Sequence, residues 1–147
     1  MLSTTILLED EMTDQEKIAY ARQLFHDIQL IHAQNVINRD ILIQNWQLLK
    51  TDVESFRAQE LNLTDEDKAT ILSYRASLIA ERELILLDRG RIRELFNELR
   101  GQYKLETIDL VISNFEEIKT ILEERQVYIS FVNETIIEVN NIVKTYV

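Results

Sequence analysis

The side chains able to do chemistry are few in this sequence, and their spacing does not bring them together. There is no cysteine, which removes thiol catalysis, disulfides and thiolate-bound metals at once. The two histidines, His26 and His32, are the natural candidates for metal ligands. A carboxylate-bridged di-iron bundle needs Glu three residues before a histidine on each of two helices, but those positions hold Gln23 and Gln29. Zinc needs three or four converging ligands, and no His/Asp/Glu cluster at that spacing accompanies either histidine. No nucleophile–base set stands out, and with glycines only at 90 and 101 no Gly-rich loop can cradle a phosphate. The expectation is a protein that is not an enzyme and uses no cofactor and no metal.

Two polar rows and one apolar stretch remain as candidates for recognition. His32, Asn35 and Arg39 fall on successive positions of a heptad row. They form either a polar layer that fixes helix register or a wet pocket within a bundle, and the layer is the preferred reading. Arg75, Arg82 and Arg89 recur every seven residues in an acidic chain. Pairing with Glu and Asp at a seam edge is expected, and a docking strip for an acidic partner is the alternative. From Val127 onward, Tyr128, Phe131, Ile137, Ile142 and Tyr146 add apolar surface beyond a single seam. Either this helix touches two neighbours, or it offers a face to a partner helix. These five residues are the candidate partner-binding site.

The elements that must carry these rows are helices. The chain has 147 residues, no proline and two glycines, with 46% hydrophobic and 29% charged residues. That is a globular composition, and it lacks the corner residues that all-β folds use. Lys and Arg total 16 against 26 Asp and Glu, a formal charge of −10. This opposes nucleic-acid binding, which needs a basic face. No stretch reaches the roughly 18 apolar residues of a membrane span. The N-terminus lacks a basic, apolar signal sequence, and a cytoplasmic protein is expected.

Thr13 with Glu16 reads as a capping box, and Thr64 before Asp65-Glu66-Asp67 as a second helix start. A third start is expected near Gln102–Lys104, and Asn62 and Gly101 are expected to end the first two helices in the left-handed conformation. The helices then cover about 14–61, 65–100 and 103–146, after a loose tail over 1–12, with 13–147 forming one domain. Thr51 with Glu54 leaves open a break near Lys50.

Heptad spacing runs through all three segments. The first row is Ile18, Ala21, Phe25, Ile28, His32, Asn35, Arg39, Leu42, Trp46, Leu49, Val53 and Phe56. The second is Ile71, Leu78, Ile85, Ile92 and Leu99, flanked by Leu72, Ile79 and Leu86. The third is Ile108, Val111, Phe115, Ile118 and Leu122, then Ile129, Val132, Ile136, Val139 and Val143. Short connections fold consecutive helices back on one another. The expected fold is all-α, an elongated antiparallel three-helix bundle with coiled-coil-like packing. Gly90, inside the second helix, is expected to mark a kink or a close approach of the first helix near Trp46.

Two segments carry a family resemblance. They are Leu78-Ile-Ala-Glu-Arg-Glu-Leu-Ile-Leu-Leu-Asp-Arg89, and Ile121-Leu-Glu-Glu-Arg-Gln-Val-Tyr-Ile-Ser-Phe-Val-Asn-Glu134 with Ile136–Ile142 after it. In composition and placement they resemble flagellar export chaperones of the FlgN type, which are small, acidic, nearly all-helical cytoplasmic proteins. The resemblance implies a non-enzymatic chaperone or adaptor that holds secreted clients, flagellar or type III, through its C-terminal helix. The competing expectation is a helical scaffold protein that self-associates, so the partner is either a helical client segment or a second copy.

Overall fold

The computed structural model describes residues 11–147, with side chains throughout except at 84–87. Residues 1–10 of the expected tail lie outside the described residues, as do the side chains of Ile85 and Leu86 of the second heptad row. The described chain is all-helical. Helix α1 spans Asp14–Ala58, α2 Asp65–Glu98 and α3 Ile108–Lys144, and a single 3-10 turn at Leu105–Thr107 precedes α3.

Local chemistry explains each boundary. At the start of α1, Thr13 Oγ1 accepts from the Glu16 backbone N–H at 3.2 Å, and Glu16 Oε1 accepts from the Thr13 N–H at 3.3 Å. This is the reciprocal capping box. Thr64 Oγ1 likewise accepts from the Asp67 N–H at 3.2 Å. Helix α1 passes through Lys50 unbroken, because the Thr51 hydroxyl donates to the Gln47 carbonyl one turn back instead of capping a new helix. The left-handed residue after α1 is Glu60, at φ 54°, and not Asn62. The Leu61 N–H reaches the Phe56 carbonyl and the Glu60 N–H that of Arg57, a Schellman turn that closes the helix at Ala58, ahead of the expected end near 61. Gly101 does take a positive φ, of 71°. Lys104 is extended, and the Thr107 hydroxyl donates to the Gln102 carbonyl at 2.6 Å. That arrangement delays α3 to Ile108. Around Gly90 an added Cβ would meet nothing within 4 Å, so no close approach explains this glycine, and α2 runs through it unbroken.

Contacts gather the chain into two compact units, and each long helix contributes a segment to both. The first unit holds the described chain up to Ala33 with Leu87–Glu124, and the second holds Gln34–Leu86 with Arg125–Val147. In the first unit eleven buried hydrophobic residues form one cluster. Leu95, Leu99, Ile112 and Ile118 are its fully buried members. Asn114 is buried beside them and donates through Nδ2 to the Leu95 carbonyl (3.0 Å) and to Glu98 Oε2 (2.9 Å). At the edge Arg91 forms a two-pronged pair with Glu117, at 2.8 and 3.1 Å. In the second unit Leu49, Ile136 and Val143 are the buried cluster, with Leu42, Val53, Phe56, Val132 and Val139 packed on it.

Burial corrects the phase of the first heptad row. Ala21, Ile28, Asn35, Leu42, Leu49 and Phe56 are buried or half-buried as expected. Ile18 and Val53, near the two ends, are half-buried as expected too, but between them the alternate members lie one residue earlier than expected. Leu24, Ile31, Asn38 and Asn45 turn inward, while Phe25, His32, Arg39 and Trp46 are exposed. Both choices satisfy a three-and-four spacing, and one residue is a 100° rotation. The expected layer of His32, Asn35 and Arg39 therefore reduces to Asn35. A different polar contact, Asn45 Nδ2 donating to Asn133 Oδ1 at 2.7 Å, sits along the corrected row. In α3 the expected row is buried or half-buried throughout, and it is flanked by further buried residues, Asn114, Ile121 and Thr135 on one side and Ile112 and Asn140 on the other.

One pair in the first unit gives an acid-dependent term. Asp27 accepts from Gln23 Nε2 at 2.8 Å and from Lys119 Nζ at 3.1 Å. The Gln23 hydrogen bond first, then Lys119, hold its carboxyl below the ordinary 3.8. The folded chain thus binds fewer protons here than the unfolded chain in acid. The stabilisation is complete above the unfolded value and is lost as pH falls through the folded one. Asp27→Asn is expected to flatten the acid limb of a stability–pH curve measured by urea unfolding between about pH 5 and pH 2. An unchanged slope would show that this pair does not contribute.

Candidate protein-binding surface

The five sequence-selected residues, on α3 and just after it and all in the second unit, occupy four different settings. Phe131 (37% exposed) and Ile137 (41%) are open to solvent, and Val127 nearby on the chain is 71% exposed. At 100° per residue Phe131 and Ile137 lie on opposite edges of the buried face of α3. They flank that face and do not form one patch. Ile142 is half-buried. Tyr146 is occupied within the chain: its ring meets Phe56 edge-on at 5.6 Å, and its hydroxyl accepts from the Thr64 N–H at 3.1 Å and contacts Asp67. Tyr146 therefore fastens the end of α3 to the start of α2.

Tyr128 lies in an apolar groove of about 330 Å³ to which all three helices of the second unit contribute. Helix α1 supplies Leu42, Ile43 and Trp46, and α3 supplies Tyr128, Val132 and Ile136. The α2 wall is Arg75, Leu78, Ile79 and Arg82, the i, i+3, i+4, i+7 set of one helix face. Burial pushes the Tyr128 hydroxyl pKa up, with Arg82 opposing and Glu81 adding to the shift. Arg75 and Arg82 are the groove's charged lining residues. The expected pairing of the arginine stripe with seam acids is not found among the described residues, where no ion pair is made by Arg75, Arg82 or Arg89.

Two further apolar surfaces escaped the sequence analysis. On α1, Ile37, Ile41 and Leu48 are exposed, and with Gln34 and Gln44 they form a second three-and-four row on the outward side. The signal was present in the stretch 36–49, where Val36, Ile37, Ile41, Leu42, Ile43, Trp46, Leu48 and Leu49 surround the helix. A helix apolar all round cannot bury every side against its own chain unless it is central. In the first unit a groove of about 600 Å³ is lined by Ile18, Phe25, Tyr103, Leu105 and Phe115, with Arg22 and Lys104 as its charged lining residues. The heptad rows supply Ile18, Phe25 and Phe115 to that groove but do not reveal it, because Tyr103 and Leu105, which wall it in, come from the segment before α3.

Among the described residues no group of three or more His, Cys, Asp or Glu side chains is placed to hold a metal ion, and both histidines are exposed. No helix there is long and apolar enough to cross a membrane. No protein-family model matches the chain, and no curated protein or solved structure matches it.

Proposed function

We propose that this chain is a non-enzymatic, cytoplasmic chaperone or adaptor that binds a helical segment of a secreted client, flagellar or type III, through its C-terminal helix. The observation that carries the reading is the apolar surface left open on a well-packed helix: Val127, Phe131 and Ile137 are exposed on α3 while Thr135, Ile136, Asn140 and Val143 of the same helix are buried. Val127 and Phe131, one turn apart, form an exposed apolar patch on one edge of α3, and Ile137 stands on the other edge. Exposed apolar surface on a folded chain marks interaction sites, and an amphipathic helix is a common occupant of such faces.

The architecture that fits is an antiparallel three-helix bundle with coiled-coil-like packing. Within the first unit, partners on α1 and α3 rise together in number, Tyr20 with Glu116 and Asp27 with Lys119, while Arg91 of α2 pairs with Glu117 and Leu95 with Asn114 in falling order. Within the second unit Asn45 meets Asn133 and Phe56 meets Tyr146, again rising.

The test is the double variant Phe131→Ser, Ile137→Ser, followed by circular dichroism and by recovery of the client from the native cell. Retained helicity with loss of a client held by the wild-type chain is expected. A variant that keeps its client, or that unfolds, overturns the assignment. The second reading, a self-associating scaffold, is favoured by the outward row of Ile37, Ile41 and Leu48. It requires concentration-dependent oligomers of the purified chain in sedimentation.

A further inference from the structure

We propose that the second-unit groove receives an amphipathic helix of a protein partner that carries carboxylates seven residues apart, pairing with Arg75 and Arg82. This rests on the reading of the chain as a helix-binding adaptor and names the chemistry of what it binds. Three observations converge. First, the groove is a trough walled by helical rows: on α2 the lining spans Arg75 to Arg82 and on α3 Tyr128 to Ile136, each about two helical turns, or roughly 10–12 Å. A fourth helix laid there would complete a local four-helix arrangement, which is the packing such rows favour. Second, the lining is apolar apart from two cations, with Trp46 at 52% and Ile79 at 51% exposure still uncovered. Third, the sign of those charges opposes that of the chain. A molecule of formal charge −10 lines this trough with arginines, and neither is in an ion pair among the described residues.

Covering the trough takes water from both guanidinium groups, which is costly unless an anion replaces it. Arginine forms two-pronged pairs with carboxylates, and the seven-residue interval on α2 equals the repeat of a partner helix in coiled-coil register. Glu81, half-buried and acting on Tyr128, adds a like charge near the α3 side. The partner's acids therefore belong on its α2 side. A second copy of this chain would bring ten further negative charges and a net repulsion, so a distinct partner is favoured.

Trp46 is the only tryptophan in the sequence and reports directly on the groove. The probes are two synthetic tryptophan-free helical peptides with the same leucine face. One carries Glu and the other Lys at the flanking positions seven apart. The Glu peptide is expected to move Trp46 emission to shorter wavelength with saturation, and to bind at least about tenfold more tightly than the Lys peptide. Added salt should narrow that gap. The double variant Arg75→Glu, Arg82→Glu should reverse the preference. The neutral pair Arg75→Gln, Arg82→Gln should abolish it with helicity retained, since both side chains are exposed.

Equal binding of the two peptides, or binding of neither, overturns the proposal. So does a shift in Trp46 emission that depends on protein concentration without peptide, which would assign the groove to a second copy. The titration uses no natural client and leaves Phe131 and Ile137 intact. Its failure therefore removes the groove assignment alone, whereas failure of the adaptor reading appears in the client-recovery experiment.

Discussion

Leu95→Ala is expected to lower the free energy of unfolding by about 3 kcal/mol, within the roughly 2–5 kcal/mol range for buried leucines. Leu95 is 0% exposed and packs in the eleven-member cluster of the first unit. Its truncation loses the transfer energy of the side chain and leaves a void between helical rows that cannot readily close. The neighbouring Asn114 amide is bound to the Leu95 carbonyl, which further restricts local collapse. Against a total of about 5–15 kcal/mol for a domain, the loss is large. Urea unfolding followed by circular dichroism measures it. The matched control is Leu72→Ala, at a leucine 51% exposed, which should cost less than about 0.5–1 kcal/mol. Similar losses for the two would mean that the cluster is not the stabilising centre.

The second large effect is a difference in hydrogen exchange along α1. Among the described residues the first unit buries eleven hydrophobic side chains in its cluster and the second buries three. Local opening free energy follows buried apolar contact, and each fully buried large side chain is worth about 1.5–3 kcal/mol. Amides near Leu24 and Ile28 are therefore expected to exchange at least about a hundredfold more slowly than those near Leu49 and Val53, because 1.4 kcal/mol is a factor of ten. Exchange followed by mass spectrometry on α1 peptides gives the ratio. Equal protection along the helix would show that the sparse cluster is stabilised by something other than its buried hydrophobic side chains.

The helix starts were legible because Thr13 with Glu16 and Thr64 with Asp67 satisfy backbone donors locally, and that chemistry is written within four residues. The row of α3 was legible for a similar reason: its inward positions are almost all Ile, Val, Leu or Phe. The phase of α1 was not, because Phe25 and Trp46 lie one residue beyond Leu24 and Asn45 and offer an equally regular series. Only tertiary contact distinguishes the two. The groove was not legible either. Its arginines were visible as a seven-residue series, but whether acids reach them depends on helix placement. The stop at Glu60 was hidden for another reason. Glutamate has no preference for positive φ, and the closing hydrogen bonds at the end of α1 imposed it.

The uneven sharing of buried residues among the helices also governs how the chain is made. Helix α3 supplies six of the eleven cluster members of the first unit and two of the three in the second, and it is the last of the three to be synthesised. While only α1 and α2 exist, neither cluster can close, and the apolar circumference of 36–49 has no α3 to pack on. At about 5–20 residues per second, adding the final forty or so residues takes roughly 2–8 s. During that interval the apolar rows of α1 and α2 lack most of the side chains they pack on, and a stop codon ahead of Ile108 would leave a product without a core in either unit.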